Sequence, residues 1–340
     1  MLYPKVSIII PIYNAGKYLE QCIDSIYAQI YPSFEVIASY DINSTDDTLC
    51  ILQTLSAKYP LIIDLGSKET SGSAGKVRNR GFLRATGEFV VFVDADDVVL
   101  PEYLSSMMDV FREYPELNAV YCNFLRVTDN TIDLVKDKNQ QSGDIYTYII
   151  SRDEVLPLYF RFIKNTNHHF IPPPMAWIWL IRRQFLLDNQ IFFPEFYYGE
   201  DTVFTVNIIV CSDKLGVCNK KLYLYRNTPG SITNLIPKSL VWDRYRLRDN
   251  TILKLIQEYA PKYVTSLTIV YNRGVVCHFS QFDYKKYSHE LDKQNITYLN
   301  PQISSSISEY GMMCLFNISR RACYLALKIY YGLFYLSRQS

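Results

Sequence analysis

The stretch from Glu88 to Asp97 constrains this chain more than any other. Phe89-Val90-Val91-Phe92-Val93 is an unbroken run of apolar β-formers, and it ends abruptly in Asp94-Ala95-Asp96-Asp97. The run reads as a buried strand. Three carboxylates at its tip cannot all stay charged without a compensating positive ion, so the tip reads as a divalent-cation site. In open α/β sheets that edge is where ligands bind.

The residues before this strand repeat one pattern. Lys5–Ile12 reads as a buried strand, and Asn14 as the cap of a helix with Leu19, Cys22, Ile23, Ile26, Tyr27 and Ile30 at helical spacing. Phe34–Tyr40 is a second strand, Ser44–Asp47 a capping box opening a helix through Leu55, and Leu61–Leu65 a third strand. A helix over Lys76–Ala85, closed by Gly87, leads into the strand that ends at Asp94. Strands alternating with helices in this way predict an α/β fold with a mostly parallel sheet and right-handed crossovers.

Further on, the pattern loosens. A helix is expected at Pro101–Tyr114, a strand at Ala119–Val127 and an exposed polar segment at Thr128–Gly143. Pro172-Pro173-Pro174 stiffens the approach to Ala176-Trp177-Ile178-Trp179, and a helix follows at Arg182–Asn189. Glu200-Asp201 precedes an apolar helix over Thr202–Val210, Lys221–Arg226 is a further strand, and helices fill the chain from Pro237.

Composition narrows the functional class. Across 340 residues, 35 Lys and Arg balance 34 Asp and Glu for a net charge of +1, which argues against nucleic acid as a partner. Length allows one large domain with a helical extension, or two domains. The eight cysteines form no C-x-x-C pair and none lies in metal-ligand spacing with a histidine, so reduced cytosolic thiols are expected. Val6–Ile12 is too short and too Pro-interrupted for a targeting peptide. Segment 320–336 is apolar and aromatic but broken by Arg320, Arg321, Lys328 and Gly332, so it does not qualify as a spanning helix. Two uses stay open: lying in a membrane interface, or docking on the body of the protein or on a second copy. Lys238, Arg244, Arg246 and Arg248 around Trp242 favour an anionic lipid surface, against an ordinary solvated helix face.

Taken in succession, several motifs resemble the family 2 glycosyltransferases of the GT-A fold, in their non-processive bacterial branch. They are Val6-Ser7-Ile8-Ile9-Ile10-Pro11-Ile12-Tyr13-Asn14, Asp41 with Ser44-Thr45-Asp46, Gly75 through Gly81 with Arg78-Asn79, and Asp94-Ala95-Asp96-Asp97. The likeness continues through Trp177, Asn189–Pro194, Glu200-Asp201 and Tyr225-Arg226 to Ser231-Ile232-Thr233. It implies a GT-A domain over 1–235, with a nucleotide-binding half at 1–100 and an acceptor half at 101–235, followed by a helical region at 236–340.

The implied activity is inverting, metal-dependent transfer of one sugar from a UDP-sugar to a saccharide acceptor, lipid-linked and at the cytoplasmic membrane face, in surface polysaccharide assembly. The resemblance places Mn²⁺ or Mg²⁺ on Asp96, with Asp94 on the ribose or reached through a water and Asp97 in support. It puts the nucleobase and ribose against Pro11, Tyr13, Asn14 and Asp41, and the diphosphate against Arg78 and Arg226. Asp201 is the expected general base, with Glu200 orienting it or holding the acceptor, and Trp177 is a candidate stacking platform that reads equally well as core. Ile42 and Asn43 depart from the family's Asp-Asp-Gly-Ser, which keeps a second reading open: an inactive sugar-nucleotide-binding or membrane-associated module. His168-His169 has no ligand partner in sequence, and Arg84 reads as a surface charge.

Overall fold

In the computed structural model the first four expected strands pair as their apolar sequences require. The structure describes residues 3–132, 146–160, 170–196, 199–227, 238–264, 267–268, 321 and 323–324, with side chains on 238–246 excluded. The elements run β1 (Val6–Ile12), α1 (Gly16–Tyr27), β2 (Phe34–Tyr40), α2 (Thr48–Lys58), β3 (Leu61–Asp64), α3 (Ala74–Arg84) and β4 (Phe89–Phe92). They continue as β5 (Val98–Val99), α4 (Tyr103–Glu113), β6 (Ala119–Val127), β7 (Thr147–Ser151) and α5 (Arg152–Tyr159). A 3-10 turn at Ala176–Ile178 opens β8 (Trp179–Arg182), followed by α6 (Arg183–Asp188), α7 (Glu200–Cys211), β9 (Lys214–Arg226) and α8 (Lys238–Tyr259).

Nine strands among the described residues form one mixed sheet in the order β3-β2-β1-β4-β8-β6-β9-β5, with β7 added on β9. β1 pairs in parallel with β2 and β4, and β2 in parallel with β3. β8 then inserts antiparallel between β4 and β6. The core follows the centre of this sheet: Val6, Ile8, Ile9, Ile10 and Ile12 of β1 and Phe89 through Val93 are buried on both faces. Each such aliphatic side chain contributes roughly 1.5–3 kcal/mol of burial. On α1 the buried stripe is Leu19, Cys22, Ile23 and Ile26, as its spacing predicts. Ile30, expected on that stripe, lies past the end of the helix and is exposed.

Two further expectations are corrected. Gly87 does not close α3, which ends at Arg84 with Ala85 as its C-cap. Instead Gly87 sits where a Cβ would meet the Lys5 carbonyl and the Ser7 amide at 2.7 Å, so glycine is needed for close approach to β1. The predicted strand Lys221–Arg226 is the second half of a 13-residue strand that starts at Lys214.

The chain divides into two compact units, Met1–Arg152 with Phe170–Arg248, and Asp153–His169 with Asp249–Ser340. The sheet lies in the first. Within the second, Lys262 pairs with Asp153 at 2.7 Å. Among the described residues no helix is long and apolar enough to cross a membrane. His168-His169, Ser231, most of Thr128–Gly143 and all but three residues of 320–336 fall outside the described residues.

Candidate active site

Because β1 to β4 are parallel, the segments leaving Ile12, Tyr40, Asp64 and Phe92 share one edge of the sheet. Polar contacts lace the first two segments together. Asn14 adopts φ 45°, and its Oδ1 accepts from the Thr45 amide at 2.7 Å. Thr48 Oγ1 accepts from the Ala15 amide at 2.8 Å, and Asp46 accepts from the Gly16 amide at 3.1 Å. Asn14 therefore does not cap α1, whose N-cap is Ala15. Ser44 opens no capping box either, since α2 begins at Thr48 behind Asp47. Both side chains join loops instead of helix ends. Tyr13 is exposed at this edge and Pro11 partly so. Asp41 is buried and takes the Asn43 amide on Oδ1 at 2.9 Å and the Gly72 amide on Oδ2 at 2.8 Å. A carboxylate offers about four lone-pair sites, so these contacts fix Asp41 while leaving it able to accept again.

The centre of the site is a knot around Arg78, on the second turn of α3. Its Nη2 donates to Asp94 Oδ1 at 2.8 Å, and its Nη1 to Asp201 Oδ1 at 2.9 Å and Glu200 Oε1 at 3.2 Å. The tip of β4 is thereby joined to the first turn of α7. Burial works against the Arg78 charge, but Asp201, Asp94 and Glu200 outweigh it and hold its pKa above the ordinary arginine range. The terminal nitrogens of Arg78 are engaged by these carboxylates, and 5% of its side chain is exposed. Asp201 is pushed up to about 8 by burial, opposed by Arg78 and reinforced by Glu200 and Asp94. The amide of Ala176 also bonds to it. Such a value suits a group that must take a proton near neutral pH.

The four aspartate-turn residues are held from behind by β9. Tyr223 donates to Asp97 Oδ2 at 2.7 Å and accepts from the Asp94 amide at 3.0 Å. The Arg226 amide donates to Asp97 Oδ1 at 2.7 Å, and Arg226 Nε to the Asp96 carbonyl at 2.7 Å. Burial, with the Asp96 and Asp94 charges, raises Asp97 well above the usual carboxylate range. Asp97 is thus a buried anchor.

Arg226 is itself held by neighbouring side chains. Its guanidinium is buried and donates to Asp129 and Gln21. Asp94 and Asp96 are half-buried oxygen donors of the kind a hard cation takes. Among the described residues no group of three His, Cys, Asp or Glu side chains makes a metal cage. Two such carboxylates would suit a hard divalent cation such as Mg²⁺ or Mn²⁺ that takes its remaining oxygen ligands from elsewhere.

Of its two readings, Trp177 takes the second and lies in the core. It is 2% exposed, with its ring stacked on Tyr223 at 4.0 Å and on Tyr225 at 5.4 Å. Trp179 is buried in β8. Asn79 belongs to the Arg78-Asn79 motif, but the sequence suggests no role for it. Its amide nitrogen donates to the Phe193 carbonyl at 2.8 Å and its Oδ1 accepts from the Phe193 amide at 2.9 Å. Phe193 in turn stacks on Phe204 of α7 at 3.9 Å, so Asn79 fixes the segment that leads to Glu200 and Asp201. Arg84 is exposed, as expected.

Comparison with known proteins gives a consistent result. The family model for "Glycosyl transferase family 2" matches residues 7–188, more than half of the chain. The uncharacterized glycosyltransferase YibD of Escherichia coli is 28% identical over 81% of this chain and 78% of its own length. The poly(ribitol-phosphate) beta-N-acetylglucosaminyltransferase TarS of Staphylococcus aureus is 31% identical over 65% of this chain, which spans 35% of TarS. A structure of TarS 1–349 in complex with UDP superposes with a TM-score of 0.61 at 21% identity, over 95% of this chain and 88% of that one. At that identity the superposition shows a shared fold.

Proposed function

Because the chain belongs to glycosyl transferase family 2 and has the GT-A fold, we propose that this glycosyltransferase is an inverting, cation-dependent enzyme that moves one sugar from a UDP-sugar to a saccharide hydroxyl. The observation that carries the reading is the Arg78 knot. It sets the expected base, Asp201, against the tip of β4, where the departing diphosphate would be bound.

Each part of the reaction has a residue suited to it. Asp41, fixed by two amides, is poised to accept the imide N–H of a uracil. Asp94 and Asp96 would hold the cation, which supplies charge neutralisation for the departing diphosphate. Asp201 takes the acceptor hydroxyl's proton, and Glu200, beside it on Arg78, orients that hydroxyl. One base and one in-line displacement give inversion at the anomeric carbon. A polymer-borne saccharide acceptor is suggested by relatives such as TarS, named for transfer to poly(ribitol-phosphate). The apolar, aromatic segment 320–336 and the basic residues around Trp242 support a lipid-linked acceptor at the cytoplasmic membrane face, with self-association as the other use of that segment.

The test is UDP release from a panel of UDP-sugars with Mn²⁺, for the native chain, Asp96→Asn and Asp201→Asn. We expect slow turnover of one donor, lowered about 10²–10⁴-fold in Asp201→Asn and abolished in Asp96→Asn. Turnover of GDP-sugars in place of UDP-sugars would overturn the donor assignment. Full activity in Asp201→Asn would remove the base.

A further inference from the structure

We propose that Tyr223 is a positioning residue for cation binding: its buried phenol sets the geometry of the Asp94–Asp97 turn and ties that turn to the segment holding Asp201. The inference rests on the reading that Asp94 and Asp96 take the cation. Tyr223 is 0% exposed, and its hydroxyl makes two bonds to the turn, donating to Asp97 Oδ2 and accepting from the Asp94 amide. The first of these fixes the side chain that ends the turn, the second the backbone that begins it. Between those two points the free choices of Asp94 and Asp96 are narrow, because the Arg226 amide occupies the other Asp97 oxygen and Arg226 Nε holds the Asp96 carbonyl. A cation that shares few protein ligands depends on such orientation.

The ring adds a second link. It stacks on Trp177 at 4.0 Å with 16° between planes, and the residue before Trp177 gives its amide to Asp201. The turn and the base are therefore joined twice, once by the Arg78 guanidinium and once by the Tyr223–Trp177 stack. Tyr103 provides a matched comparison. Its hydroxyl is also buried and donates at 2.7 Å, but to the Trp177 carbonyl and not to the turn.

The experiment measures Mn²⁺ binding by the paramagnetic signal of the free ion, with and without UDP, on the full chain. Native protein, Tyr223→Phe, Tyr103→Phe, Asp97→Asn and the Tyr223→Phe/Asp97→Asn double variant are compared, with circular dichroism as the check on folding. Loss of the two hydrogen bonds of the hydroxyl is expected to weaken Mn²⁺ in Tyr223→Phe by about tenfold. Asp97→Asn alters the one contact the two residues share, so it should show a measurable loss no larger than that of Tyr223→Phe, which also loses the Asp94 amide, and the double variant should lose little more than Tyr223→Phe alone. Tyr103→Phe should bind like the native chain. Native affinity in Tyr223→Phe would overturn the inference, as would equal weakening in the two tyrosine variants. If Tyr223→Phe does not fold, native affinity in Asp97→Asn overturns it. Absence of Mn²⁺ binding by the native chain with UDP would overturn the cation reading itself, and the inference with it.

Discussion

A single guanidinium faces Asp94, Glu200 and Asp201, so one positive charge stands against three acidic groups before any donor arrives. The deficit falls on Asp201, the group whose burial raises it to about 8. In the free enzyme at neutral pH this carboxyl is largely protonated, and only its ionised form can act as a base. The value of kcat/KM, measured with both substrates below saturation, is therefore expected to rise with pH through about 8 and then level off. A profile already flat from pH 5 upward would show an ordinary carboxylate and refute the assignment. The stability sign runs the other way. A carboxyl with a folded pKa above its unfolded value of 3.8 favours the folded state most below that value, and the benefit is lost as pH rises through about 8. The thermal midpoint of the free enzyme should fall as pH rises from 3.8 to about 8, and less steeply in Asp201→Asn.

At the scale of elements, the site depends on how closely α3 approaches the chain before α7. A Cβ on Gly75 would meet the Pro194 carbonyl at 2.8 Å, Phe193 Cβ at 3.1 Å and Glu200 Cγ at 3.4 Å. Alanine is worth about 1 kcal/mol over glycine inside a helix, but overpacking of this kind costs roughly 1–3 kcal/mol. Gly75→Ala should destabilise modestly and also lower activity, because the shift falls on the segment carrying Glu200 and Asp201. Gly87→Ala makes a comparable clash with Lys5 and Ser7, near the amino end of β1, so it should lower stability and spare the turnover of folded enzyme. Equal activity loss per unit of destabilisation in the two variants would refute the positional argument.

The same scale shows what the sequence could reveal. β1 to β4 were legible because buried parallel strands are written as unbroken apolar runs between helices. β8 was not, since Trp179–Arg182 is four residues long and runs straight into α6. The first half of β9 was hidden by Asn219 and Lys220, which the register shift opposite Asn123 absorbs as a bulge. Asp94, Asp96 and Asp201 could be picked out because carboxylates at a strand tip and a helix start are local patterns. Asn79 and Tyr223 act through partners 114 to 129 positions away, a relation that no local spacing records.

For the whole molecule, the residues expected to bind donor and cation come from segments between Pro11 and Arg226 that meet within one compact unit. Asp41 ties β2 to the loop before α3, Arg78 ties α3 to β4 and α7, and Tyr223 ties β9 to the turn after β4. A ligand that engages these groups together must favour the folded unit over every partly opened form, because opening any one of the ties disperses its contacts. Free ligand at a hundred times its dissociation constant stabilises by about 2.7 kcal/mol. For a domain of 150–250 residues each kcal/mol raises the midpoint by roughly 2–4 °C. UDP with Mn²⁺ at such excess should then raise the unfolding midpoint of the chain by roughly 5–10 °C, measured by calorimetry or intrinsic fluorescence. Chelation with EDTA should remove most of the gain, since without a cation the diphosphate faces Asp94 and Asp96 as like charges. A shift that survives EDTA undiminished would mean that UDP is held by the base and ribose contacts alone, and that the aspartate turn takes no part in binding the diphosphate.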